Sequence, residues 1–129
     1  MKYISAIFAL IAMFTLSAKE LKVLAIGNSF SVCVTRNLPQ MVASVPGNRI
    51  HLTSAQIGGC SLERHWNNIL QAEKDAKFAP YGISVFDSSV KNFKVSVSRG
   101  NVNELVKKNK YDIRLFYEIS HIHIYSHPP

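Results

Sequence analysis

The stretch Leu24–Cys33, LAIGNSFSVC, indicates a buried strand that turns directly into a helix. Its apolar run ends at Gly27, and the small polar residues Asn28 and Ser29 then open a segment with helical spacing. Two interpretations of Ser29 follow from this position. It is an ordinary helix-capping residue, or it is a nucleophile whose hydroxyl is exposed where the helix begins. The pattern alone leaves both interpretations open.

The segments on either side predict alternating strands and helices. Residues 21–26 form an apolar run without clean alternation, which is typical of a central parallel strand buried on both faces. The following helix ends at Pro46-Gly47, and Pro39 inside it predicts a kink or an early break. Its apolar positions are Val32, Val34, Leu38, Met41, Val42 and Val45. Residues 48–57 predict a second strand and residues 61–70 a second helix, with Trp66 on its core face. This order predicts a doubly wound α/β sheet.

The rest of the chain predicts a hairpin, a short helix and a third parallel strand. Residues 83–86 and 93–97 both alternate and flank the turn sequence Asp-Ser-Ser, so they predict the hairpin. Asn101 is the expected cap of a helix over residues 102–108, with Glu104 as its capping-box partner. Tyr111 to Ile113 begin the third strand of the parallel sheet. Because there are no repeats or interdomain linkers, the sequence predicts one domain.

The N-terminus has the composition of a secretory signal peptide. The first 18 residues, MKYISAIFALIAMFTLSA, place Lys2 before an almost unbroken apolar run that ends at Ser17-Ala18. This order favours cleavage after Ala18, and the run is too short to span a bilayer comfortably. We therefore expect an exported protein, periplasmic or secreted, without stable membrane insertion after cleavage.

Charge and cysteine content exclude some functions and leave others open. The net charge is +7, but the lysines and arginines are spread along the chain without an aromatic-interleaved basic stripe. We therefore expect a solvated basic surface and no nucleic-acid partner. Cys33 and Cys60 would be in an oxidising compartment after export, but their spacing does not decide whether they form a disulfide bond.

Small polar residues follow the first two predicted strands at the edge where α/β sheets bind ligands. Gly27-Asn28-Ser29 follow the first strand, and Gly58-Gly59-Cys60-Ser61 follow the second. A serine at a helix start lies beside backbone N–H groups that can stabilise an oxyanion, and Gly59, without a Cβ, lets a carbonyl oxygen approach closely. These loops predict a nucleophile and half of an oxyanion hole. The alternative is an ordinary cap followed by an ordinary turn.

The blocks LKVLAIGNSFS and IGGCSLERHWNNI together resemble the opening of an SGNH (GDSL-like) hydrolase. The resemblance is to an exported branch, the DUF4886 type, whose first block reads G-N-S-F-S, and it covers about residues 21–113. It implies a flavodoxin-like three-layer α/β/α fold with a parallel sheet, and hydrolysis of small esters or acylated glycans without a metal or cofactor. By matching, Ser29 is the nucleophile and Gly59 an oxyanion-hole residue. Asn28 and His65 are expected to contact the substrate.

The chain departs from the family pattern at two places. Cys33 stands where this branch is expected to carry an acidic residue. From Arg114 onward the sequence no longer resembles the family, whose catalytic base is the histidine of a late Asp-x-x-His pair. No Asp lies three residues before a histidine of this tail, whose histidines are His121, His123 and His127, although Glu118 lies three residues before His121.

These departures set the expected organisation and activity. We expect a signal peptide over residues 1–18, the N-terminal part of an SGNH-like domain over 19–113, and a non-matching tail over 114–129, as if the domain were truncated or frame-shifted. We expect this chain to be a very weak esterase. The alternative is a non-catalytic relative that at most binds carbohydrate or serves as a structural fragment.

Two sets of histidines have simpler interpretations. His121 and His123 would share one face of a strand, and with His127 they could bind zinc or copper, but three histidines without a placed fourth ligand favour an incidental tail and no metal site. His51 is expected near the start of the second strand, far from the edge that carries Ser29.

Overall fold

The computed structural model describes residues 19–117 and 122–126, and the side chains of residues 19–116. The predicted signal peptide, His121 and His127 lie outside the described residues. The elements in chain order are β1 (Lys19–Gly27), α1 (Ser29–Ala43), β2 (Asn48–Gln56), α2 (Leu62–Lys74), β3 (Tyr81–Asp87), β4 (Lys94–Gly100), α3 (Val102–Lys108), β5 (Ile113–Tyr117) and β6 (Ile122–Ser126).

All six described strands form one mixed sheet in the order β4-β3-β2-β1-β5-β6. The central strand β1 is parallel to both neighbours, with Val23 level with Leu52 of β2 and with Ile113 of β5. The predicted third parallel strand is therefore confirmed. The other three pairings are antiparallel, so the sheet is parallel only at its centre. For β3–β4 and β5–β6 the reason is the short connection, because a parallel pairing needs a crossover of a dozen or more residues.

The sheet separates two apolar cores, which makes the expected three-layer α/β architecture. Leu24 and Ile26 point to one face and pack near Ile69 of α2 and Leu105 of α3. The alternate residues of β1 point to the other face, which α1 covers. Complete burial of a leucine or isoleucine contributes about 1.5–3 kcal/mol, so helices that cover both apolar faces of β1 are favoured.

The fully buried side chains of helix α1 include two hydroxyl groups, while its apolar residues Leu38 and Val42 pack against the sheet only partly buried. Its buried residues are Ser31, Thr35 and Pro39, whereas Val34 and Met41 are exposed. The Ser31 hydroxyl donates to the Asn28 carbonyl over 2.6 Å, and the Thr35 hydroxyl donates to the Ser31 carbonyl over 2.8 Å. Because these bonds satisfy both hydroxyls inside the helix, they can be buried at little cost.

The predicted early break of α1 at Pro39 is wrong, since the helix runs through it to Ala43. Proline removes one hydrogen bond but does not end a helix when packing holds both sides, and Pro39 is buried.

The prediction that Trp66 is a core residue is also wrong. The helix α2 turns His65 and Ala72 toward the sheet, and Trp66 is 59% exposed. Successive residues point about 100° apart around a helix, so burial of His65 turns its neighbour away from the sheet.

The short helix α3 begins as predicted, with the Asn101 side chain accepting a hydrogen bond from the Glu104 N–H over 2.8 Å. The Glu104 carboxylate does not complete the capping box at Asn101 in the described contacts but pairs with Lys108 over 3.0 Å. Within residues 19–117 and 122–126, none of the helices combines the length and apolar character needed to cross a bilayer.

Candidate active site

Ser29 is the first residue of α1, and its side chain is exposed. The residue before it, Asn28, is the cap: its backbone is extended (φ −116°, ψ −163°), and its Oδ1 accepts a hydrogen bond from the Phe30 N–H over 3.1 Å. Capping is therefore the role of Asn28, which leaves the Ser29 hydroxyl outside the helix's own hydrogen bonding. The first N–H groups of a helix lack intrahelical acceptors and carry partial positive charge, so an anion is favoured beside Ser29.

Gly59 lies in the loop that follows β2. Its φ of +61° falls in the left-handed region that favours glycine. A Cβ at this position would meet nothing within 4 Å, so the backbone conformation rather than crowding calls for glycine here. The same open space leaves the Gly59 peptide approachable from solvent. The next helix is then capped by Ser61, whose Oγ accepts from the Arg64 N–H over 3.3 Å.

The two loops are joined by hydrogen bonds. The Asn28 Nδ2 donates to the Cys60 carbonyl over 3.2 Å, and the Ile57 N–H donates to the Gly27 carbonyl over 3.1 Å. Asn28 is 2% exposed, and its side-chain Oδ1 and Nδ2 both form hydrogen bonds with the main chain. The structure thus places Ser29 and Gly59 in adjacent, connected loops at the carboxyl end of β1 and β2. The observed contacts of Asn28 are structural, and its predicted contact with substrate stays a prediction.

His65 lies behind this edge, on the buried side of α2. It is 2% exposed, and its Nδ1 is 3.0 Å from the Tyr81 hydroxyl. The two rings stack with centroids 5.6 Å apart. Burial, with a smaller contribution from the Cys60 thiol, raises the pKa of Tyr81 well above its usual range, against the opposing hydrogen bond to Asn68. The Tyr81 phenol therefore stays protonated over the physiological pH range. The predicted contact of His65 with substrate stays a prediction.

Both cysteines are free. Burial raises the pKa of the Cys60 thiol, and the charge of Arg64 opposes this only in part. Since the thiolate is the reactive form, Cys60 is a neutral packing residue at neutral pH. Cys33, which stands where the family resemblance implied an acidic residue, is exposed on α1.

A histidine held by carboxylates does exist in the molecule, but it lies at the opposite edge. The His51 Nε2 is 2.6 Å from Glu20 Oε1, and its Nδ1 is 2.9 Å from Asp87 Oδ2. Because His51 precedes Gln56 by five residues of β2, it lies about 16 Å from the carboxyl edge at the usual rise of a strand. Its expected distance from the site is confirmed. The sequence did not indicate this cluster, because its members come from three strands whose register was unknown.

Among the described side chains, those of residues 19–116, no group of three histidine, cysteine or carboxylate side chains could hold a metal ion. His123 lies on β6 opposite Phe116, and the other two histidines of the tail lie outside the described residues. The expectation that the protein uses no metal therefore stays a prediction.

Comparisons with known proteins support the family resemblance. No family profile matches the chain, and no curated protein matches it. A solved structure that does match is the crystal structure, at 1.50 Å resolution, of a DUF4886 family protein from Bacteroides uniformis. It is 29% identical with a TM-score of 0.61, and the match covers 76% of this chain and 35% of that protein. The chain thus spans about a third of its neighbour's length. The match supports DUF4886 membership and confirms the α/β fold.

Proposed function

We propose that this relative of the DUF4886 proteins carries the nucleophile and two oxyanion-hole donors of an SGNH-type serine hydrolase acting on small esters, including acylated carbohydrates. The observation that carries the proposal is the position of Ser29. It is exposed at the first turn of α1, and Asn28 takes the capping role and ties it to the Gly59 loop.

The proposed chemistry follows from that position. The Ser29 Oγ attacks the ester carbonyl carbon, a C–O bond forms, and the hydroxyl proton leaves to a base. The backbone N–H groups of Ser29 and Gly59 donate to the developing oxyanion, assisted by the positive end of α1. Loss of the alcohol leaves an acyl-Ser29 intermediate, which water hydrolyses.

The base limits the rate in this proposal. A serine hydroxyl is a weak nucleophile near neutral pH without a positioned base. Within residues 19–116, His65 is the histidine of the elements that form this edge, and its Nδ1 already contacts Tyr81. We therefore propose that this chain alone hydrolyses esters slowly, and that a soluble base added at high concentration accelerates the reaction.

Hydrolysis of p-nitrophenyl acetate with and without added imidazole tests the proposal. The full chain is compared with Ser29→Ala and with Ser98→Ala, which removes an exposed serine of β4. We expect imidazole to stimulate hydrolysis by the parent and Ser98→Ala chains, and stimulation in Ser29→Ala to fall to the rate of imidazole in buffer. Peptide mass spectrometry should find the acetyl group on Ser29.

Equal stimulation in all three proteins, or acetylation that spares Ser29, would contradict the proposal and favour a non-catalytic protein. The substrate class has its own test, in which an O-acetylated methyl glycoside replaces the p-nitrophenyl ester and acetate release is measured. Release that does not depend on Ser29 would exclude acylated carbohydrates as substrates.

We also propose that the protein is exported. The proposal is supported by the residues before Lys19, whose charged, apolar and small-residue order resembles a signal peptide. N-terminal sequencing of protein recovered outside the cytoplasm should begin near Lys19. Recovery with Met1 intact would contradict cleavage.

A further inference from the structure

Apart from the candidate active site, a groove lies on the α1 side of the sheet, between α1 and the β3–β4 hairpin. This hairpin groove has a volume of about 360 Å³, within the range of small-molecule sites. The residues that give it chemical character are Thr35, Arg36, Ser54, Gln56, Phe93 and Lys94. None of the proposed roles in ester hydrolysis uses them.

The floor of the hairpin groove is polar although it is buried. Thr35 and Ser54 are 2% and 1% exposed. The Gln56 Nε2 donates to Ser54 Oγ over 2.7 Å and reaches Thr35 Oγ1 at 3.5 Å. Burial of two hydroxyl side chains between a helix and a sheet is unusual, since apolar residues normally occupy such positions. Because these hydroxyls hold the partly buried Gln56 amide in place, the floor presents an oriented amide group to a ligand rich in hydroxyls.

The sides of the hairpin groove are positively charged. Arg36 comes from α1 and Lys94 from β4, and among the described residues that line the groove none is acidic. Within residues 19–116, neither cation has an ion pair. The nearest acidic residue along the chain, Asp87, points to the other face of the sheet, where it pairs with His51. Charge complementarity therefore favours an anionic ligand.

An aromatic residue closes the groove at the hairpin loop. Phe93 has a φ of +58°, in the left-handed region that a bulky residue rarely adopts. Two hydrogen bonds hold this conformation: the Phe93 carbonyl accepts from the Asp87 N–H over 2.7 Å, and the Phe93 N–H donates to the Val90 carbonyl over 2.9 Å. Strained residues held in this way cluster at ligand sites. An aromatic ring here offers a flat apolar surface to the carbon face of a ring-shaped ligand.

We propose that the hairpin groove binds a hydroxylated carboxylate of the sugar-acid class. Arg36 and Lys94 bind the carboxylate, the Gln56 amide, held in place by Ser54, bonds to hydroxyl groups, and the Phe93 ring packs against the ligand's carbon face. Gln56 is the last residue of β2, so the groove extends toward the edge that carries Ser29. Binding itself does not require Ser29 or ester hydrolysis.

Isothermal titration calorimetry of the full chain, with glucuronate, glucose and inorganic phosphate in separate titrations, tests the proposal. We expect saturable binding of glucuronate at least tenfold tighter than that of either other probe. Arg36→Gln and Lys94→Gln should each weaken it at least tenfold. Lys91→Gln removes an exposed lysine of the β3–β4 loop that does not line the groove, and it should bind glucuronate as the parent does. Ser29→Ala should also bind glucuronate as the parent does.

Phe93→Asn tests the aromatic wall, because asparagine tolerates the left-handed conformation and lacks the ring. We expect at least threefold weaker glucuronate binding with an unchanged circular dichroism spectrum. Phosphate binding as tight as glucuronate binding would overturn the sugar-acid assignment. Absence of saturable binding, or binding that survives both cation substitutions, would overturn the site. Neither result bears on acetylation of Ser29.

Discussion

The Asn28 side chain spans the two loops of the candidate active site, donating from Nδ2 to the Cys60 carbonyl over 3.2 Å while its Oδ1 caps α1. Asn28→Ala removes both bonds and leaves the Cys60 carbonyl without this donor in a buried place. We expect a loss of about 1–3 kcal/mol of unfolding free energy in urea, from the cap and the unsatisfied carbonyl together.

Two matched variants separate these contributions. Asn28→Ser keeps a capping oxygen but cannot reach across to Cys60, so its loss should be smaller. Asn37→Ala, at an exposed position of the same helix, should change stability by no more than about 0.5 kcal/mol. Equal stability of Asn28→Ala and the parent would show that the loops are not joined by this side chain.

The Asp87 carboxylate should make stability depend on acid pH. Burial raises its pKa, but the hydrogen bonds from the Ser89 hydroxyl and N–H and the charges of His51 and Arg49 together lower it by more, so the net shift of the pKa is downward. A carboxyl group with a lower pKa in the folded state stabilises the protein above its unfolded pKa. That contribution is lost as the pH falls through the folded pKa.

We therefore expect the stability difference between the parent and Asp87→Asn to be largest near neutral pH and to shrink as the pH falls below about 4. Urea unfolding at a series of pH values measures it. A difference that grows with acidity would contradict the direction given for the Asp87 pKa.

The phenol of Tyr81 should resist titration. It is 1% exposed, and burial is the main reason its pKa is raised. Absorbance of tyrosinate between pH 8 and 11 should therefore have the same amplitude in the parent and in Tyr81→Phe. One tyrosinate fewer in the variant would show that Tyr81 ionises in this range.

The Tyr81→Phe variant should also unfold more easily, by about 1–3 kcal/mol, because the buried His65 Nδ1 loses its contact with the hydroxyl. A raised folded pKa stabilises the protein fully below the unfolded pKa, near 10, and the stabilisation is lost as the pH rises through the folded pKa. The parent should therefore keep this advantage over the variant throughout neutral pH.

Trp66 is the single tryptophan of the chain, so its fluorescence reports one position. With 59% of its surface exposed, it should emit near the wavelength of free tryptophanamide and be quenched readily by iodide. Trp66→Ala should cost less than about 1 kcal/mol, whereas Leu52→Ala in the core should cost about 2–5 kcal/mol. Blue-shifted, protected emission would contradict the exposed position.

Local signals were enough to predict the order of strands and helices as far as β5, whereas β6 lies in the segment that was expected to be a non-matching tail. Gly27 and Asn28 mark the turn into α1, Gly58 and Gly59 the turn before α2, and Asn101 the start of α3. Each signal is a backbone or capping preference that acts within a few residues, and the adjacency of the Ser29 and Gly59 loops then follows from a parallel β1–β2 pair.

What the sequence did not reveal depends on contacts between distant segments. Apolar spacing along α2 predicts an apolar face that includes Trp66, but the position of the sheet decides which face of the helix is buried, and it is the face with His65. The hydroxyls of Ser31 and Thr35 were not expected in a buried stripe, since their satisfaction inside α1 is visible only in three dimensions. The His51 cluster and the hairpin groove need the register of several strands at once.

The central position of β1 has a consequence for synthesis on the ribosome. One neighbour, β2, follows it within a few dozen residues, but the contacts with β5 join positions 90 residues apart, as the pairing of Val23 with Ile113 shows. At about 5–20 residues per second, the emerging chain carries a half-paired, apolar β1 for roughly 5–18 seconds. During that interval the nascent strand presents free main-chain groups to other polypeptides, which makes early chaperone capture valuable for a productive yield.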